Sequence, residues 1–178
     1  LVLGATTALA QGRILRLDES AVGELDPAKA TDYADSQLMF NMYDTLVWSD
    51  STGAIVPLVA ESWTTSEDGT VYTFDLRDDV LFHDGTPLTA SDVVFSLDRM
   101  LAVGQGFSYL FDGWVTEVAA LDDTTVAFTL TQPYAPFLAS LVRLPIVNEA
   151  VVLDNLAPGD FGDLGDYGQA FLSTNDAG

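Results

Sequence analysis

"VLFHDGTPLTASDVVFSLDRM", residues 80–100, decides how this chain is read. Val80-Leu81-Phe82 has the apolar, branched and aromatic character of a strand end. Asp84-Gly85 supplies a turn, because glycine accepts a positive φ without strain. Pro87 punctuates the loop that follows. Thr89 then stands at a helix N-cap. Asp92, three residues on, is the acidic partner of a capping box and favours the positive helix end. Val93, Val94, Leu97, Met100 and Leu101 make the apolar stripe of that helix. His83, the only histidine of the chain, falls in the turn beside Asp84. A metal site needs several ligands, and the sequence has no second His and no Cys. No Gly-x-Ser-x-Gly elbow accompanies it either. The residues predict a turn histidine with local hydrogen bonds, not a catalytic or metal-binding pair.

Composition narrows the classes. The 178 residues are 48% hydrophobic and 19% charged, enough to bury a core in one domain or part of a larger one. Twenty-seven acids face six bases, a net charge of -21. That argues against nucleic acid, which selects basic surfaces, and against anionic lipid. A hydrated surface is the plain reading, and a saline habitat is compatible with it. Without Cys there are no disulfides, thiolate metal sites, Cys nucleophiles or lipid-modified cysteines in this sequence. "LVLGATTALAQG" opens the chain with small and apolar residues. Ala8-Leu9-Ala10 fits a small-x-small cleavage site, so residues 1–10 read as the remnant of a signal peptide and Gln11 as the mature start. The competing reading is a buried N-terminal strand. The run is too short for a membrane span, which takes about 20 residues.

Further along, Arg13–Asp18 alternates like a strand, and "GELDPAKATDY" is a loop punctuated by Gly23 and Pro27. In residues 34–46, Leu38, Met39, Met42, Tyr43 and Leu46 recur at helical spacing, with Asp35 or Ser36 as the cap. "GAIVPLVAESW" reads as a connection with a short strand or helical turn. Asp68-Gly69 marks a hairpin, whose second strand turns Tyr72, Phe74 and Leu76 to the core and Val71, Thr73 and Asp75 away. "GQGFSYLFDGW" is a glycine-rich aromatic loop, and a second hairpin turns at Asp122-Asp123. Pro133 and Pro136 open a short helix. "LPIVNEAVVLDNL" reads as a short strand and a helix. The tail from Ala157 is loop-like, without a closing element, and no internal repeat is evident. Its Asp160, Asp163 and Asp166 are spaced by three, unlike the alternate-residue spacing of a calcium loop.

Residues 80–100 resemble the signature segment of the bacterial extracellular solute-binding proteins, family 5, the peptide, dipeptide and nickel receptors of ABC importers. "LDPAKATDYADSQLMFNMYDTLV", "IVPLVAESWTTSEDGTVYTFDLRDDV" and "VAALDDTTVAFTLTQPYAPFLASL" agree in order, so the likeness runs from about Arg13 to the end. It implies an α/β chain with a partial type II periplasmic-binding-protein-like fold. Residues 11–40 would be the first part of lobe one, 41–147 an inserted mixed α/β subdomain, and 148–178 the return towards lobe one. The chain would be an N-terminal fragment of a protein about three times as long, lacking the opposing lobe. The implied protein is a periplasmic receptor, monomeric at full length. It would bind a peptide or similar small solute, deliver it to an ABC permease, and use no cofactor and catalyse no reaction.

The resemblance also implies ligand contacts. The loop after Leu25-Asp26-Pro27 reaches the cleft in peptide-binding relatives, which points to Ala30, Thr31, Asp32 and Tyr33. An acid there meets a ligand ammonium; Asp32 is otherwise a solvated loop acid. The aromatic loop borders the cleft too, which points to Tyr109 and Phe107, with Trp114 behind them; aromatics equally fill cores. Nickel or haem receptors are rivals within the family. An exported acidic hydrolase is a rival of another class. The helices at about 34–46 and 90–101 argue against a β-rich adhesion module.

Overall fold

The computed structural model describes residues 23–178. The expected leader at 1–10 and the expected strand at Arg13–Asp18 lie outside the described residues. In chain order the elements are α1 (Tyr33–Met42), β1 (Val47–Ser49), β2 (Ile55–Pro57), β3 (Ala60–Thr65), β4 (Val71–Leu76) and α2 (Ala90–Val103). β5 (Val115–Asp122), β6 (Thr125–Leu130), α3 (Phe137–Ser140), α4 (Glu149–Leu153) and α5 (Gln169–Leu172) follow.

Alternation builds the central sheet. β3 to β6 form an antiparallel sheet in the order β3-β4-β6-β5, while β1 and β2 make a separate hairpin. Tyr72 faces Phe128 across the β4–β6 ladder, and Phe74 faces Val126. The predicted core set of β4, Tyr72, Phe74 and Leu76, is buried, as are Val126, Phe128 and Leu130 of β6. Asp75 on the other face is exposed, which leaves that face to water. Phe74 and Phe128 meet edge to face at 5.6 Å, and Phe137 of α3 completes the cluster. Each of these rings contributes about 2–3 kcal/mol by burial.

Helix α2 covers this sheet, with Val93, Leu97 and Met100 in the same core. Its start is as predicted: Asp92 Oδ2 accepts from Thr89 N and from Thr89 Oγ1, both at 2.9 Å. Asp92 Oδ1 also accepts from Glu149 N at 3.0 Å, so one carboxylate ties the starts of α2 and α4 together. The opposite side of α2 is buried as well. Phe95 belongs to a second cluster with Met39 and Tyr43, Val152 of α4, and Tyr167, Leu172 and Ala177 of the tail. The signature helix is therefore packed between two cores.

Several expectations need correction. Val80–Phe82 is not a strand: only the bridge Leu81 to Pro87 forms. Phe82 N donates to Thr86 O and Leu88 N to Val80 O, so the segment closes on itself as a tight loop. Phe82 is buried and Leu81 is exposed. The sequence 144–148 is also no strand. Its N–H groups reach three separate elements: Ile146 to Asp44 O, Val147 to Ser96 Oγ and Asn148 to Ala177 O. Neither Asp35 nor Ser36 caps α1; Asp32 holds the N-cap position. Buried Asp35 instead accepts from Gly23 N at 2.8 Å and Glu24 N at 3.3 Å.

The tail is built rather than loose. Asp166 accepts from Ala157 N, Gly168 N and Ala170 N. Partial burial opposes ionisation there, but these three donors hold the carboxyl below its ordinary range. His83 is not a locally bonded turn residue. Its Nδ1 lies 3.1 Å from Asp176 Oδ1, and its N–H donates to Gly178 O at 2.7 Å, so it fastens the turn to the tail 93 residues on.

Candidate ligand-binding face

Two segments singled out in the sequence meet in the structure, and a buried ion pair fixes the first of them. Asp26 accepts both terminal nitrogens of Arg99 at 2.7 Å, while Arg99 Nε donates to Tyr167 O at 2.7 Å. Both side chains are inaccessible, at 0% and 2% exposure. The fork geometry satisfies the guanidinium, which makes such burial tolerable. Asp26 O then accepts from Lys29 N and Ala30 N and closes the turn. Ala28 and Ala30 are buried, and the chain emerges with Thr31, Asp32 and Tyr33 exposed at the start of α1. Tyr33 is 73% accessible. Sequence reading missed the ion pair. Its trace was Arg99 on the stripe of Phe95, one helical turn away, which marks a second buried face of α2.

The aromatic loop comes against that turn. Gly106 has φ 55°, and a Cβ there would lie 2.6 Å from Ala28 O. Only glycine permits this approach. Beyond it Ser108–Leu110 forms one 3₁₀ turn. Tyr109 points outward at 64% exposure, its ring 6.3 Å from that of Phe107. Phe107 is half-buried and shares a small pocket with Pro27, Ala30, Met39, Phe40 and Pro145. Arg143, at the end of a 3₁₀ turn after α3, borders the same pocket. Its guanidinium carbon lies 4.7 Å from the Phe107 ring centre and 5.2 Å from that of Phe40. Trp114 is occupied elsewhere, stacked on Tyr134 at 4.0 Å.

Other ionisable groups are structural. Burial pushes the Tyr43 phenol up, and its oxygen accepts from Ala177 N. Partial burial of Glu24 is outweighed by Lys29 and backbone donors, which hold it low. Among the described residues no three His, Cys, Asp or Glu side chains converge to hold a metal. Among the described residues, too, no helix is long and apolar enough to cross a membrane.

An antiparallel sheet capped by a doubly packed helix, with anchored loops presenting one open face, is part of a type II periplasmic-binding-protein fold. The peptide-bound OppA of Listeria monocytogenes superposes with a TM-score of 0.72 at 26% identity, over 78% of this chain and 31% of that one. NikZ from Campylobacter jejuni, solved with Ni(L-His), gives 0.71 at 25% identity over 88% of this chain and 29% of that one. Residues 54–174 match the bacterial extracellular solute-binding proteins, family 5 Middle, and the chain belongs to that family. The "Probable D,D-dipeptide-binding periplasmic protein DdpA" of Escherichia coli (strain K12) is 37% identical over 161 residues. That alignment covers 86% of this chain and 30% of the relative. The chain thus spans about a third of the length of these relatives.

Proposed function

We propose that this chain is part of an extracytoplasmic receptor of an ABC importer, which binds a peptide or similar small polar solute and hands it to a membrane permease. Residues 11–40 and 148–178 belong to lobe one in this reading, and 41–147 to its inserted subdomain. Thr31, Asp32, Tyr33, Tyr109 and Phe107 line one wall of the cleft. Ligand favours the closed arrangement of two lobes, and that difference in affinity is the work done. No chemical step is involved.

One observation carries the reading: the turn after Asp26 and the aromatic loop are locked together at Gly106 while their polar and aromatic tips stay in water. Buried charge and close packing hold the base; Asp32 starts α1 through its backbone, but its side chain makes no cap hydrogen bond, and the Tyr109 side chain stands exposed. The pocket beneath them is too small to enclose a solute, so a second wall must complete the site.

The test uses the complete polypeptide that carries this chain, incubated with an equimolar mixture of short peptides. Retention of about one peptide per protein is expected, with roughly tenfold weaker retention for Asp32→Ala or Tyr109→Ala, the scale of one lost charge-assisted or stacking contact. Turnover of the peptides, or retention by neither native protein nor variants, overturns the reading.

A further inference from the structure

We infer that Arg143 reads a carboxylate of the bound solute. The inference rests on the receptor reading above and names what its cleft selects.

Charge pairing marks the residue out. Four of the six bases fall within the described residues. Lys29 pairs with Glu24 at 2.9 Å, Arg77 with Asp79 at 2.9 Å, and Arg99 with Asp26 at 2.7 Å. Arg143 alone has no carboxylate within ion-pair distance among the described residues, although the chain carries 27 acids. In so acidic a chain, an arginine without an acid partner among the described residues is available for an acid supplied from outside.

Geometry makes it a receptor rather than a loose surface charge. The Phe40 and Phe107 rings both contact its guanidinium, and Nη1 donates to Ser36 Oγ at 3.3 Å. Cation–π contact and one hydrogen bond fix the plane of the group while using one of its five N–H donors. No buried side-chain nitrogen or oxygen lacks a partner among the described residues, so the other nitrogens reach solvent. A planar fork held between rings, with its remaining donors open, matches a carboxylate that binds through two oxygens. Apolar Pro27, Ala30 and Met39 flank it and lower the local dielectric, which strengthens such a pair.

Position and net charge narrow the ligand class. Arg143 shares its pocket with Ala30 and Phe107, residues of the two segments assigned to the cleft. A charge of -21 repels polyanions. A zwitterion feels no net repulsion: its ammonium suits Asp32 and its carboxylate suits Arg143. The class is therefore a small solute with one free carboxylate and a compensating cation.

The complete polypeptide is offered two probes, an equimolar set of short free-acid peptides and the same set as C-terminal amides. Native protein is expected to prefer acids by about tenfold or more, the worth of one charge-assisted bidentate contact. Arg143→Gln should bring acids and amides to within about twofold of each other, with the cooperative melt retained at a slightly lower midpoint for the lost ring and Ser36 contacts. Arg143→Lys keeps the charge but loses the fork, and should retain part of the preference; it serves if the Gln variant fails to fold. An undiminished acid preference in a folded variant overturns the assignment while leaving the receptor reading intact. Retention of neither set by native protein overturns both.

Discussion

The two sides of helix α2 are held by different physics. On the sheet side, Val93, Leu97 and Met100 meet Phe74, Phe128 and Phe137 in a wholly apolar core. On the other side, Phe95 shares its cluster with polar ties that run far along the chain. Arg99 reaches Asp26 across 73 positions and Tyr167 across 68. Tyr43 reaches Ala177 across 134, and Arg143 reaches Ser36 across 107. The first side is stabilised by area and is indifferent to which apolar neighbour supplies it. The second depends on particular pairs, and a pair broken on one side leaves its partner stranded. The candidate ligand-binding face sits where the two sides meet: Ala30 and Met39 belong to the second cluster, while Ala28, Leu110 and Val142 join the first.

The contrast is broken most directly at the ion pair. Asp26→Ala strands a buried guanidinium and should cost about 3–5 kcal/mol, read from the urea midpoint. Joint replacement, Asp26→Leu with Arg99→Met, should recover much of that loss, because two apolar groups can pack where one unpaired charge cannot. Hydrogen exchange locates the damage. Residues 23–46 and 157–177 should lose protection before β4 and β6 do. Simultaneous loss over all of them would mean that the two sides form one cooperative unit and the contrast is wrong.

Gly106→Ala sharpens the same contrast by a smaller step. The added Cβ meets Ala28 O at 2.6 Å in a left-handed backbone. A loss of about 1–2 kcal/mol is expected, with the aromatic loop pushed away from the turn at residues 28–30. Peptide retention by the complete polypeptide should fall more than stability does, since the displaced loops carry the proposed ligand contacts. Unchanged retention would show that the two loops need not meet to bind.

Legibility in the sequence follows the same division. Tyr72, Phe74 and Leu76 were readable because alternation is a local signal. So was the Thr89–Asp92 start of α2, where both partners lie within one turn. Val80–Phe82 was misread because an apolar triplet resembles a strand, whereas only Phe82 of the central pair turns inward and no neighbouring strand runs beside it. Asp35 and His83 were misread for one shared reason: their partners lie 11 to 93 positions away, and no period announces them. The tail was misread because the bonds of Asp166 to Ala157, Gly168 and Ala170, though local, follow no helix or strand period. The site divides likewise. Thr31, Asp32, Tyr33, Phe107 and Tyr109 came from likeness to a family, not from spacing. That their loops touch at Gly106 is a fact of three dimensions. Arg143 carried no signal beyond being a rare base in an acidic chain.

The smallest effect distinguishes the two sides by pH. Four turns repeat one device, Asp-x-Thr: those at Asp50, Asp68 and Asp122 close hairpins, and that at Asp84 lies in the loop tied to the tail. Asp50, Asp68, Asp84 and Asp122 each accept from both the N–H and the Oγ1 of the threonine two positions on. These contacts favour the ionised carboxylate and hold all four below the ordinary aspartate range. For Asp50 and Asp84 the threonine hydroxyl is the main cause; for Asp68 it is Ser66 and then Thr70; for Asp122 it is the Thr124 N–H. A depressed folded-state value means stabilisation that is complete above the unfolded value of about 3.9 and disappears as pH falls through the folded one. Asp98 works in the opposite sense, because burial raises it, so its protonation at low pH favours the fold. Between about pH 5 and pH 2 the four turns should therefore loosen. Asp68→Asn keeps the turn but removes one titrating group. Its melting temperature should lie below that of the native chain at pH 7, and the gap should narrow steadily towards pH 3. High salt should not erase the effect, since it arises from hydrogen bonds at contact distance rather than from screened long-range attraction. Parallel melting curves for native and variant across that range would show that these turns do not couple protonation to folding, and that acid acts on both sides of α2 alike.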